Sequence, residues 1–364
     1  MQPTLDFLVS SPYGDIRVLE NQLDLPLEQD PLKTPYRVYF NNIVKFLSCN
    51  KYTPFLKAVS KKISYELSLN DILNIIIRAE KHGLLYHPAS IELITPNQRF
   101  KFALNVAISE MGKKYLRKET QLLLQLQSKY SLSYLPYVYH SGEIDSMVFL
   151  LEDWFDGYHE FHHTKDNMGN YKLNLWEFGK GYRYITEEVG FEIFTQAAKI
   201  LTLYFDVQEF NFIYPWHHAA GDFIVKIEDE KVDVRLITVR DYKPLLNFHR
   251  FDTNPLMALF FFLLHLSVQM RLDKLDGIGE VVWAEDYCID ATLKGFFEGL
   301  SKNEKTKNYI TDLKSLLKSF SSDELCFLFN PFIDYYNGLK DLPVIIKNLE
   351  AHMLMLHKAI QDLP

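Results

Sequence analysis

Arg99–Tyr130 reads RFKFALNVAISEMGKKYLRKETQLLLQLQSKY, and the change of rhythm inside it decides the fold class. Arg99 to Ile108 predicts a strand, whereas Gly112 to Tyr130 predicts a helix with Tyr115, Leu116, Leu122, Leu123 and Leu126 on its inner face. Upstream, Thr95-Pro96-Asn97-Gln98 supplies a turn, Leu84 to Ile94 another strand, and His82-Gly83 a turn behind the β-branched run Ile72 to Arg78. Downstream, Tyr137 to His140 and Met147 to Glu152 predict two strands joined at Ser141-Gly142-Glu143. Three strands, one helix and two strands make a small antiparallel sheet carrying one helix, an α+β arrangement.

The rest of the 364 residues extends this nucleus on both sides. Residues 1–66 are expected to form a helical amino-terminal extension, with Tyr39, Ile43, Phe46 and Leu47 on one helix face. Residues 67–153 are the sheet lobe and 154–364 a helical lobe. The latter opens on an irregular stretch, 153–190, rich in Gly, His and aromatics. Helices are expected at Glu192–Phe205, Asn254–Arg271, Tyr287–Leu300, Asn308–Phe320 and Leu342–Ile360, with a hairpin, Asp222–Ile227 and Val232–Val239, after the first.

Composition narrows the function. Hydrophobic residues make up 48 % and aromatics 15 %, which excludes wholesale disorder. With 39 Lys+Arg against 47 Asp+Glu the formal charge is −8, and no basic run is present, which argues against nucleic acid or an anionic membrane as a partner. Cys49, Cys288 and Cys326 form no CxxC pair and are expected to be reduced, buried thiols. The start of the chain lacks the basic-then-apolar pattern of a signal peptide. The longest apolar run, Pro255 to Leu266, falls short of the roughly 20 residues a membrane span needs. A cytoplasmic protein is the expectation.

The order of elements, a five-strand lobe with one helix, a linker, then a helical lobe with a hairpin after its first long helix, resembles protein-kinase-like folds. The aminoglycoside phosphotransferase and choline kinase branch is the nearest in pattern, over about residues 70–300. The resemblance puts Asn105 at the phosphate-binding lysine of the third strand and Glu119 at the helix glutamate that pairs with it. Leu150-Leu-Glu152-Asp-Trp154 falls at the strand and hinge that grip adenine, Pro215 to Asp222 at the catalytic loop, and Asp241 at the metal-binding strand end. Gly221, Asp241 and Glu119 keep the family's residue. The loop aspartate, however, is His217, the metal-holding asparagine is Asp222, the lysine is Asn105, and no GxGxxG precedes it.

What the resemblance implies is a diverged, catalytically impaired kinase-like protein that binds a nucleotide or serves as a scaffold, its cleft lined by Asn105, Glu119, Glu152, His217, Asp222 and Asp241. Two alternatives stand beside it. One is an active phosphotransferase on a small hydroxyl-bearing acceptor, using ATP and Mg²⁺. In it Asp222 and Asp241 hold the metal, His217 acts on the acceptor, and Lys101, on the same face of its strand as Asn105, or Arg78 covers the phosphates. The other is a non-catalytic protein that binds a partner through 153–190.

Further patterns compete with these. His159, His162 and His163, with Asp156 and Glu160, have the spacing of metal ligands if helical, and of a cleft rim if not. Trp216-His217-His218-Ala-Ala-Gly-Asp222 combines small residues with two histidines, which suggests a backbone closely approached by another group. Arg240-Asp241-Tyr242-Lys243 leaves an apolar strand carrying charge, either a site or a surface pair. Walker, Rossmann and GxSxG motifs are absent from the sequence.

Overall fold

The computed structural model describes residues 3–11, 13–80, 83, 85–177, 180–244 and 254–364. It is an α+β protein that divides into two compact units, Met1–Asp156 and Gly157–Pro364.

The first unit begins with strands β1 (Thr4–Ser11) and β2 (Gly14–Arg17) and helices α1 (Tyr36–Ser48) and α2 (Thr53–Ile63). It continues through β3 (Asn74–Ala79), β4 (Ala89–Ile94), β5 (Arg99–Ala107), α3 (Glu110–Lys129), β6 (Val138–Ile144) and β7 (Met147–Asp153). The expected five strands are there, in the order β3-β4-β5-β7-β6 and antiparallel throughout. The sheet is nonetheless seven-stranded, because β1 adds to β3 in parallel and β2 folds back on β1.

The amino-terminal segment carries the expected helix, with Tyr39, Ile43, Phe46 and Leu47 buried in α1, but it is not helical throughout. Its strands lengthen the sheet, and Phe40, Phe46 and Phe55 of α1 and α2 share one core with Phe102, Leu104, Phe149 and Leu151. Leu104 lies opposite Leu151 in the register, and the alternate residues Asn105 and Glu152 project to the other side of the sheet. Ser109 starts α3 by accepting a hydrogen bond from the Gly112 N–H at 3.1 Å.

One turn lies elsewhere than expected. β6 and β7 turn at Asp145 and Ser146, both with positive φ, whereas Gly142 sits within β6 opposite Phe149. A Cβ on Gly142 would come within 3.3 Å of the Phe46 ring, so the glycine makes room for α1. The turn expected at His82-Gly83 falls partly outside the described residues; Gly83 itself donates its N–H to the Tyr86 carbonyl at 3.1 Å.

The second unit corrects the largest sequence expectation. Residues expected to be irregular form β8 (His159–Lys165), β9 (Tyr171–Glu177) and β10 (Gly181–Ile185), an antiparallel meander. After α4 (Glu187–Leu203) and the short β11 (Phe212–Ile213) come the hairpin β12 (Phe223–Glu228) and β13 (Lys231–Leu236) and the short β14 (Tyr242–Lys243). The hairpin joins the meander in one sheet, β10-β9-β8-β12-β13.

Helix α5 (Pro255–Gln269), capped by Asn254, is buried along most of its length. The small pair β15 (Leu272–Lys274) and β16 (Val281–Trp283) then leads to α6 (Tyr287–Lys302), α7 (Ile310–Lys318), α8 (Ser322–Leu328), α9 (Asn330–Tyr336) and α10 (Leu342–Gln361). α8 and α9 had no counterpart in the sequence reading. Among the described residues no helix is long and apolar enough to cross a membrane. All three thiols are free, but only Cys288 is fully buried; Cys49 and Cys326 are half-buried.

Candidate functional site

In the second unit the unusual stretch 214–222 is held against the segment that leaves the hairpin. β11 pairs with β14, the Tyr214 N–H donates to the Asp241 carbonyl at 3.2 Å, and the Ile237 N–H donates to the Asp222 carbonyl at 2.8 Å. These main-chain bonds bring both aspartate-bearing segments to the same short run of chain, so the side chains there are placed by backbone pairing.

Asp222, only 1 % exposed, is gripped from two directions. Arg240 Nη2 donates to Oδ1 at 2.6 Å and Nη1 to Oδ2, and the His217 N–H donates to the same Oδ2 at 2.8 Å. Nη1 also reaches the Pro215 carbonyl at 3.3 Å. Such a two-point, charge-assisted contact is among the stronger polar interactions a protein makes. Asp241 has its own partners: Oδ1 accepts the Tyr242 N–H at 3.0 Å, and Oδ2 lies 2.8 Å from Lys243 Nζ.

His217 is mostly buried, and burial holds its imidazole below the usual range, against the opposing pull of Asp341 and Asp222. Its Nδ1 is buried without a hydrogen-bond partner among the described residues. His218 points the other way, into a box formed by Phe161, Phe194, Trp216 and Phe223 with ring centroids 5.0–5.8 Å away. Burial brings its pKa down to about 4, so it is a neutral core residue. The close approach expected at this loop is made by Glu160: a Cβ on Gly221, where φ is +70°, would lie 2.8 Å from Glu160 Oε1.

The histidine spacing 159/162/163 is strand spacing here. His163 is buried and its Nδ1 lies 2.7 Å from Asp273 Oδ2, whereas His162 lies 3.6 Å from the Glu160 carboxylate. Burial would raise the Asp273 carboxyl, but the His163 hydrogen bond and neighbouring charges outweigh it and hold the group below its usual range. Among the described residues no three His, Cys, Asp or Glu side chains gather so that they could hold a metal ion. The His163–Asp273 pair went unread because its members are 110 positions apart: His163 stood out only in the histidine cluster, and nothing in the sequence marked Asp273 as its partner.

In the first unit Asn105, Glu152 and Glu119 gather beneath α3. Asn105 Nδ2 donates to Glu152 Oε1 at 2.8 Å, and the Tyr86 hydroxyl donates to Glu119 Oε2 at 2.9 Å. Burial pushes the Glu152 carboxyl well above its ordinary range; the Glu119 and Asp153 charges add to this, and the Asn105 bond only partly offsets it. Glu152 Oε2 is buried without a hydrogen-bond partner among the described residues.

Lys101 is not joined to that group. Its ammonium lies 3.7 Å from the centroid of the Trp154 ring and 3.9 Å from the Glu80 carboxylate, and burial lowers its pKa. Arg78 binds Asp15 at 2.5 Å and the Ser90 hydroxyl at 3.3 Å, with Glu80 and Glu92 beyond. Compared with known proteins, the chain matches no protein-family model and none of the curated proteins.

Proposed function

We propose that this chain is a diverged protein-kinase-like protein, impaired in phosphotransfer, that acts by binding, as a nucleotide holder or a scaffold. The order β3-β4-β5-α3-β6-β7 in the first unit agrees with the small lobe of the resembled family. The order α4, loop 215–222, hairpin, Asp241 in the second agrees with its helical lobe.

The observation that carries the impairment is the hydrogen bond from Asn105 to Glu152. Where the resembled family has a lysine paired with a helix glutamate, β5 presents a neutral amide bound to a carboxyl whose pKa burial raises, and Glu119 receives the Tyr86 hydroxyl. A lysine there would neutralise nucleotide phosphates in a water-poor site, where a fixed charge counts for far more than in water. The two replacements considered, Lys101 and Arg78, are engaged by Trp154, Glu80 and Asp15. For a protein partner, the meander ends in the edge strand β10, which holds the exposed Tyr182 and Tyr184.

Phosphate release from ATP, measured on the full chain and on His217→Ala, tests the reading. The expected result is no release above background for either protein. Release by the wild type that falls in the variant overturns it in favour of an active phosphotransferase. A thermal-shift titration with ATP then separates the two binding modes: a rise in melting temperature marks nucleotide binding, and no rise leaves the scaffold.

A further inference from the structure

We propose that Arg240 is the resident cation of the second unit's site, occupying through its guanidinium the place at Asp222 where the resembled family puts a divalent metal. The comparison rests on the kinase-like reading; the contact itself does not.

The residues present do not suit Mg²⁺. A hard divalent cation needs carboxylate oxygens with lone pairs to spare, and Mg²⁺ demands near-octahedral geometry from them. Asp222 is almost fully buried, and its two oxygens already receive three donors, two from Arg240 and one from the His217 main chain. Asp241 is held in turn by the Tyr242 N–H and Lys243. An ion entering here would have to displace a guanidinium that is also tethered to the Pro215 carbonyl, and would leave that cation facing the incoming one.

Chain order makes the substitution permanent. Arg240 immediately precedes Asp241 and Lys243 follows it by two, so the same turn that delivers the second carboxylate delivers two positive charges. The guanidinium fork suits a carboxylate edge in a way a lysine does not. The charge of the pair is thus balanced without a metal, and binding of an anionic ligand by this unit is expected to be independent of divalent ions.

Uptake of Mn²⁺ by the full chain, read from the loss of the free-ion electron paramagnetic resonance signal, tests this. The wild type is expected to take up no Mn²⁺ that depends on Asp222. Arg240→Gln, which keeps a donor but no charge, is expected to gain saturable uptake that is lost again when Asp222→Asn is added. Wild-type uptake that disappears in Asp222→Asn overturns the proposal, as does a folded Arg240→Gln that takes up no ion. Should Arg240→Gln not fold, the comparison of the wild type with Asp222→Asn still decides: no Asp222-dependent uptake supports the proposal, and uptake sinks it. The measurement contains no nucleotide, so a failure of the kinase-like reading to find ATP binding leaves its outcome separate.

Discussion

Glu152 behaves unlike its counterpart in water. The carboxyl is buried on the α3 side of the sheet, where Glu119 and Asp153 add repulsion to the cost of desolvation. Its pKa is raised on folding, so the native state holds a proton that the unfolded chain releases above its ordinary value of 4.5. The stability this group contributes is complete below that value and is lost as pH rises through the folded pKa. Across that window the wild type should lose about 1.4 kcal/mol per pH unit relative to Glu152→Gln, which keeps the shape and cannot ionise. Urea unfolding of both proteins over a pH series checks this; parallel curves would show that Glu152 is ionised in the fold. Glu152 and Asn105 were legible as candidates only through the kinase-like resemblance. That they bond to each other was not, because the register of β5 against β7 is a tertiary fact.

Among the elements, α6 shows how a helix can be read correctly and its role missed. Gly295 and Gly299 are four residues apart, the spacing of one helix face, and in isolation each only weakens the helix. In the fold they are where α6 meets α4. A Cβ on Gly295 would lie 2.0 Å from the Thr195 carbonyl oxygen and 2.9 Å from the Ala198 Cβ, and one on Gly299 would lie 2.7 Å from the Thr202 Cβ. Gly295→Ala improves helix propensity by about 1 kcal/mol. It must also drive two packed backbones apart, at about 1–3 kcal/mol or more. The expected outcome is a net loss of stability and a lower melting temperature; an unchanged or higher midpoint would mean that the helices part easily. The missed meander has a related cause. His159 to Lys165 carries histidines and charges in place of the apolar alternation that marks a strand, and it is a strand because β9 and β12 flank it.

The second unit as a whole buries several histidines in neutral form. Burial brings His218 down to about 4, His265 to about 3 and His352 to about 3. Two of them make neutral hydrogen bonds: His265 Nε2 lies 3.0 Å from the Tyr336 hydroxyl, and His352 Nε2 lies 3.0 Å from the Ser267 hydroxyl. Here the sign is opposite to that of Glu152. The folded pKa values are depressed, so their contribution is present above the ordinary value of 6.5 and is lost as pH falls below it. With three such groups, stability should fall by up to roughly 4 kcal/mol per pH unit between about pH 6 and pH 4. Denaturant unfolding at stepped pH checks this, and His352→Gln should make the decline shallower. A flat profile would place these rings in contact with water.

Local pattern alone determined the elements of the nucleus, the long helices, the β12–β13 hairpin and the α+β class, because period and turn chemistry act within a few residues. It also singled out the runs Trp216–Asp222 and Arg240–Lys243, whereas Asn105, Glu119 and Glu152 were picked out only by the resemblance to kinase-like folds. Only the tertiary structure decided that β1 and β2 widen the sheet, that Arg240 closes on Asp222, and that His163 meets Asp273. The pairing of β1 with β3 and the two side-chain contacts join residues 18 to 110 positions apart, and a hydrogen bond or a strand pair at that separation leaves no mark on the neighbouring sequence.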